Sequence, residues 1–89
     1  MKLKEIEGLI DLETLKDSEL ITDLQQRLVW ARYLSGDYDI DGIIGKNTLA
    51  AFARFKKDRW LEYPYLLGKS TAAELLEITK PASLIFQPT

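Results

Sequence analysis

The sequence predicts an all-α protein, a compact three-helix bundle with an Asp-Gly loop and a short N-terminal arm. Three observations carry that prediction. Apolar residues recur at helical spacing in three separate stretches. Each stretch opens after a capping residue or a glycine-bearing turn. The second and third stretches also begin with the same device, Ile43-Ile44-Gly45-Lys46-Asn47-Thr48 and Leu66-Leu67-Gly68-Lys69-Ser70-Thr71.

Residues 1–17 read as the arm. Ile6, Leu9 and Ile10 sit at helical spacing, but Gly8 interrupts, so the arm holds at most one short helix. Asp17 or Ser18 can cap the first helix, whose Leu20, Leu24, Leu28 and Ala31 recur every three or four positions to about Leu34. Ser35-Gly36 stops it, because glycine takes the left-handed conformation that closes a helix. The loop from Asp37 to Gly45 follows. A second helix runs from about Lys46 to Lys57, with Thr48, Ala51, Phe52 and Phe55 on one face. Residues 60–67, rich in aromatics and marked by Pro64, form a second loop. The third helix runs from about Lys69 to Ile78 with Leu75 and Leu76 inward, and Pro81 ends it. The domain proper is thus 18–80. Residues 81–89 are a tail or linker that either packs locally or leads into a further domain.

The internal repeat is gapless between residues 43–52 and 66–75. In each copy an aliphatic pair anchors a loop to the core and glycine permits a turn that a side chain would obstruct. Thr48 and Thr71, near their helix starts, can each bond an otherwise unpaired backbone N–H. A repeat this short implies one pseudo-symmetric bundle rather than a solenoid.

Composition limits the function. The chain has no cysteine and no histidine, so it lacks a thiolate metal site, the usual near-neutral acid–base group and the commonest zinc ligand. A net charge of −2 gives no general attraction to nucleic acid or to an anionic membrane. No apolar stretch approaches the roughly 18 residues of a membrane span. The N-terminus lacks the uninterrupted apolar core of a secretory signal. This leaves three options: a cytoplasmic chain, export by another route, or one piece of a longer protein.

Three motifs then fall in order. They are Asp23-Leu24-Gln25-Gln26-Arg27-Leu28, the run from Asp41-Gly42-Ile43-Ile44-Gly45 through Thr48 to Phe55-Lys56, and Gly68-Lys69-Ser70-Thr71 through Leu75. Together they resemble the bacterial peptidoglycan-binding domains of the PG_binding_1 type over about residues 20–78. The resemblance implies a three-helix, non-catalytic module without a cofactor that binds the glycan or stem peptide of the cell wall. It also implies a covalently linked hydrolase domain that the module targets to the wall, which places it in the wall or periplasm if exported with that partner. Two departures from the family pattern stand out. Lys56 replaces the usual glutamine, and Pro64-Tyr65 replaces a second Asp-Gly.

Candidate contacts lie on the two loops. Tyr38, Tyr63, Tyr65 and Trp60 offer aromatic faces for a saccharide ring, and Asn47 offers an amide for an N-acetyl group or peptide; Asp39 lies beside them. For the loop tyrosines, plain packing explains the residues equally well. Trp30 and at least one of Tyr33 and Trp60 are expected to be largely buried. Asp41, Gly42, Gly45, Thr48, Gly68 and Thr71 are the structural motif. Asp37-x-Asp39-x-Asp41-Gly42 also resembles half of a calcium loop, but Thr48 stands where the bidentate glutamate belongs, so no metal is expected. Lys56-Lys57-Asp58-Arg59 reads as a solvated helix end favoured by the helix dipole. The Thr and Ser hydroxyls lack a histidine base to activate them. The competing class is an intracellular protein–protein interaction module that reuses the fold.

Overall fold

A computed structural model describes residues 1–81. Three helices form its frame: α1 (Ser18–Trp30), α2 (Lys46–Asp58) and α3 (Lys69–Leu76). Short 3-10 turns at Leu3–Glu5, Leu12–Thr14 and Asp37–Asp39 and two very short strands, β1 (Ile10–Asp11) and β2 (Leu66–Leu67), complete it. The expected all-α, three-helix architecture is present. The expectation for the C-terminal tail lies outside the described residues beyond Pro81.

Asp17 caps α1, its carboxylate accepting from the Leu20 N–H at 3.1 Å. That bond holds the Asp17 carboxyl below its usual range. Leu20, Leu24 and Leu28 of α1 meet Ala51, Phe52 and Phe55 of α2 and Ala72 and Leu75 of α3 in one core. The helices are therefore ordered by their apolar stripes, as periodicity requires. Arg27 ties the ends together: its guanidinium donates to the carbonyls of Leu76 and Ile78 at 3.4 and 2.6 Å. The first is a carbonyl the end of a helix leaves without a partner, and the second lies just beyond that end.

Helix α1 ends at Trp30, four residues short of the expected Leu34. The Tyr33 N–H reaches back to the Leu28 carbonyl and the Arg32 N–H to that of Val29, with Arg32 at φ 70°. This is the Schellman closure, made on arginine rather than on Gly36. Trp30 is half-buried rather than core, with the Arg27 guanidinium 5.2 Å from its ring centroid. Tyr33 is also half-buried and bonds Asp58, and Trp60 is 93% exposed. Of the expected aromatics, Tyr33 packs against the core with its ring edge-on to Phe55 at 5.7 Å and Trp30 is partly buried, while Trp60 stays outside. Leucines with Phe52 and Phe55 fill the centre.

The arm differs from its expected single helix. Two 3-10 turns and β1 replace it, and Leu3, Ile6 and Leu12 enter the core while Leu9 stays 74% exposed. Strand β1 pairs antiparallel with β2, Ile10 opposite Leu67 and Asp11 opposite Leu66. The Leu12 N–H extends the contact to the Tyr65 carbonyl at 2.9 Å. The arm thereby braces the second loop.

Candidate functional site

The first loop is organised by Gln25, a fully buried polar residue on α1. Its Oε1 accepts from the N–H groups of Asp41 and Gly42 at 3.0 and 2.9 Å. Its Nε2 faces Asp41 Oδ1, the Ile43 carbonyl and Thr48 Oγ1 at 3.0–3.1 Å. Two hydrogens are shared among those three acceptors. Gly42 sits at φ 74°, and a Cβ there would come within 2.6 Å of Ser18 Oγ. Asp41 also accepts from the Ile43 N–H at 3.1 Å. The Gln25 amide first, and that N–H second, hold the Asp41 carboxyl below its usual range. Asp39 accepts from the Ser35 N–H at 3.0 Å. Among the described residues no three acidic groups converge as a metal site.

In the second loop the pivot is Lys56. Expected at a solvated helix end, it is instead only 4% exposed. Position explains this, because Lys56 follows Phe55 on the inward face of α2 and extends beneath the loop. Its Nζ donates to the carbonyls of Tyr63 and Leu66 at 2.8 and 2.6 Å and lies 5.7 Å from the centroid of the Phe52 ring. Burial pushes its pKa below the ordinary lysine value. Helix α2 closes with a second Schellman arrangement. The Leu61 N–H bonds the Lys56 carbonyl and the Trp60 N–H that of Lys57, with Trp60 at φ 59°. Tyr63 is also left-handed, at φ 61°.

The repeat survives in the backbone. Gly45 and Gly68 are the N-caps of α2 and α3, with φ/ψ of −125°/−172° and −119°/−170°. Neither angle demands glycine, so the expected turn that only glycine could make is not there. At Gly45 a Cβ would meet nothing within 4 Å, whereas at Gly68 it would meet Leu9 Cδ2 at 2.8 Å. Thr48 and Thr71 fall on equivalent buried positions in the first turns, but neither caps its helix. Thr48 serves Gln25 instead.

Each loop and its following helix enclose an open groove. The first, about 300 Å³, is lined by Asp39, Asp41, Ile43, Gly45, Asn47 and Thr48 among others. The second, about 370 Å³, has Leu66, Gly68, Ser70 and Thr71 at the matching positions, and Lys56, Trp60 and Tyr63 besides. Of the expected contact residues, Asp39 and Asn47 share the first groove, and Trp60 and Tyr63 the second. Tyr38 is fully exposed on its 3-10 turn and lines neither. Tyr65 is half-buried and contributes its carbonyl to the arm. The two groups stand at opposite ends of α2, roughly 20 Å apart by helical rise, so they make two sites rather than one.

Sequence reasoning missed Gln25, Lys56 and Ser70. The signal for the first two was a polar residue inside an apolar stripe, Leu24-Gln25 and Phe55-Lys56. Ser70 was marked by the repeat itself, as the counterpart of Asn47. Comparison with protein-family models, with curated proteins and with solved structures gives no match for this chain.

Proposed function

We propose that this chain is a non-catalytic module that binds bacterial peptidoglycan, glycan or stem peptide, and serves as the targeting portion of a cell-wall hydrolase. The observation that carries the reading is Trp60. It occupies the helix-closing position where glycine is favoured, adopts a left-handed conformation that strains a bulky residue, and leaves its ring 93% exposed. Packing does not account for a tryptophan there. An aromatic face offered to a ligand does, and strained exposed residues concentrate at such sites. Tyr63, likewise left-handed and 66% exposed, faces the same groove. The ordered resemblance of residues 20–78 to peptidoglycan-binding domains supplies the ligand class.

The test is co-sedimentation of the purified chain with sacculi of several chemotypes. Binding without release of soluble fragments is expected. Trp60→Ala and Tyr63→Ala, each shown folded by circular dichroism, should bind several-fold more weakly. No wild-type binding to any chemotype would favour the protein–protein interaction module. Full binding by both variants would place the contact elsewhere, with Asn47→Ala testing the first groove.

A further inference from the structure

The two grooves share a backbone but differ in charge. Around the first, Asp39 and Asp41 supply carboxylates beside one cation, Lys46, and the buried pivot, Gln25, is neutral. At the second, the buried pivot is Lys56, whose ammonium contacts two carbonyl oxygens and, among the described residues, no carboxylate within 4 Å. An ammonium has three hydrogens, and two carbonyls leave one to spare. Thr71 lines the same groove and is 2% exposed. Its counterpart Thr48 is bonded to the pivot of its own loop. Gly68 provides no capping side chain, and the first backbone bond of α3 runs from the Ala72 N–H to the Gly68 carbonyl. The N–H groups of Lys69, Ser70 and Thr71 therefore lack acceptors within the helix. Besides these donors the groove carries one carboxylate, Glu62, whose single negative charge disfavours a dianion.

We propose that the second groove is a carboxylate-binding subsite for the free carboxyl end of a short peptide, held between Lys56, Thr71 and the start of α3. Trp60, Leu61, Tyr63 and Leu66 would flank the preceding residue. The proposal rests on the wall-binding reading only in naming a stem-peptide carboxylate as the natural occupant. A monoanion matches one buried cation, and charge-assisted hydrogen bonds in a partly desolvated groove are the strong kind.

Titration of the isotope-labelled chain with N-acetyl-alanyl-alanine and with its C-terminal amide, followed by amide chemical shifts, decides it. The acid should move the Lys69, Ser70 and Thr71 amides and bind about ten-fold or more tightly than the amide, as loss of a charged hydrogen-bond partner implies. Lys56→Gln should remove most of that preference, and Thr71→Val should weaken acid binding several-fold. Equal affinity for acid and amide overturns the subsite whatever the variants do, and so does an equal response at Lys46, Asn47 and Thr48. Binding of inorganic phosphate in preference to the acid overturns it as well. Sacculus binding without acid preference removes the subsite alone. Acid preference without sacculus binding supports the subsite and removes the wall-binding reading.

Discussion

The carbonyls of Ile43 and Leu66 hold equivalent places in the two copies of the repeat, yet one meets an amide and the other an ammonium. Gln25 Nε2 donates to the first at 3.0 Å and Lys56 Nζ to the second at 2.6 Å. The difference propagates into loop chemistry. A glutamine can also accept, so the first loop turns two N–H groups, those of Asp41 and Gly42, toward it. A lysine only donates, so the second loop turns carbonyls inward. At the position matching Asp41 it can then carry Pro64, which has no N–H to offer. Between the two copies of the repeat, the pivot Gln25 goes with Asp41-Gly42 and the pivot Lys56 with Pro64-Tyr65.

Replacing Gln25 tests this organisation. Gln25→Leu keeps the volume but strands a buried Gly42 N–H and the acceptors around it, and should lower stability by about 2–4 kcal/mol. Gln25→Glu keeps the acceptor but sets a carboxylate against Asp41, and should also destabilise. Urea unfolding measures both. A loss below about 1 kcal/mol for the leucine variant would mean that water substitutes for the amide.

The glycines of the first loop should behave oppositely. Gly42→Ala forces a Cβ into Ser18 Oγ at a positive φ and should cost on the order of 2 kcal/mol. At Gly45 the backbone is extended and the space open, so Gly45→Ala should change stability by under about 0.5 kcal/mol. Gly45→Asp, which adds a capping carboxylate at a helix start, should stabilise by a few tenths of a kcal/mol or more. Melting temperatures of the three variants separate the cases.

Trp60→Gly should make the protein more stable and less able to bind. Relief of left-handed strain is worth about 1–2 kcal/mol, offset in part by the greater freedom of glycine in the unfolded chain. A net gain of about 0.5–1 kcal/mol is expected, together with weakened sacculus binding. A destabilised Trp60→Gly would show that the indole packs usefully despite its exposure.

Lys56 predicts an alkaline dependence. Its folded pKa is lowered by burial, so between that value and the unfolded value near 10.4 the unfolded chain holds the extra proton. Stability from this group therefore rises with pH across that window. The neutral amine still has two hydrogens for the Tyr63 and Leu66 carbonyls, so both bonds survive deprotonation. Wild type minus Lys56→Met, compared by urea unfolding at pH 7 and pH 10, should shift in favour of wild type at the higher pH. A flat or reversed difference would contradict it.

Much of this was legible in the residues. Three apolar stripes marked three helices, and Asp17 marked the start of the first. Helix ends were harder, because Arg32 and Trp60 close helices in a conformation that sequence assigns to glycine, and Gly36 drew the boundary of α1 too far. The arm was misread because β1 is only two residues long, too short for alternation to register, and its partner lies in another loop. Of the candidate contact aromatics, Tyr38, Trp60 and Tyr63 are exposed. Their division between two ends of α2 depends on tertiary placement, which spacing cannot carry.

The pairing of β1 with β2 joins chain segments separated by nearly the whole bundle. Contacts between such distant segments bear a large closure entropy and are the slow ones to form. Helices α1 and α2 can meet through the first loop without them. The rim of the second groove, by contrast, becomes whole only when Ile10 reaches Leu67, which makes it a part of this surface that depends on a contact between segments far apart in the chain.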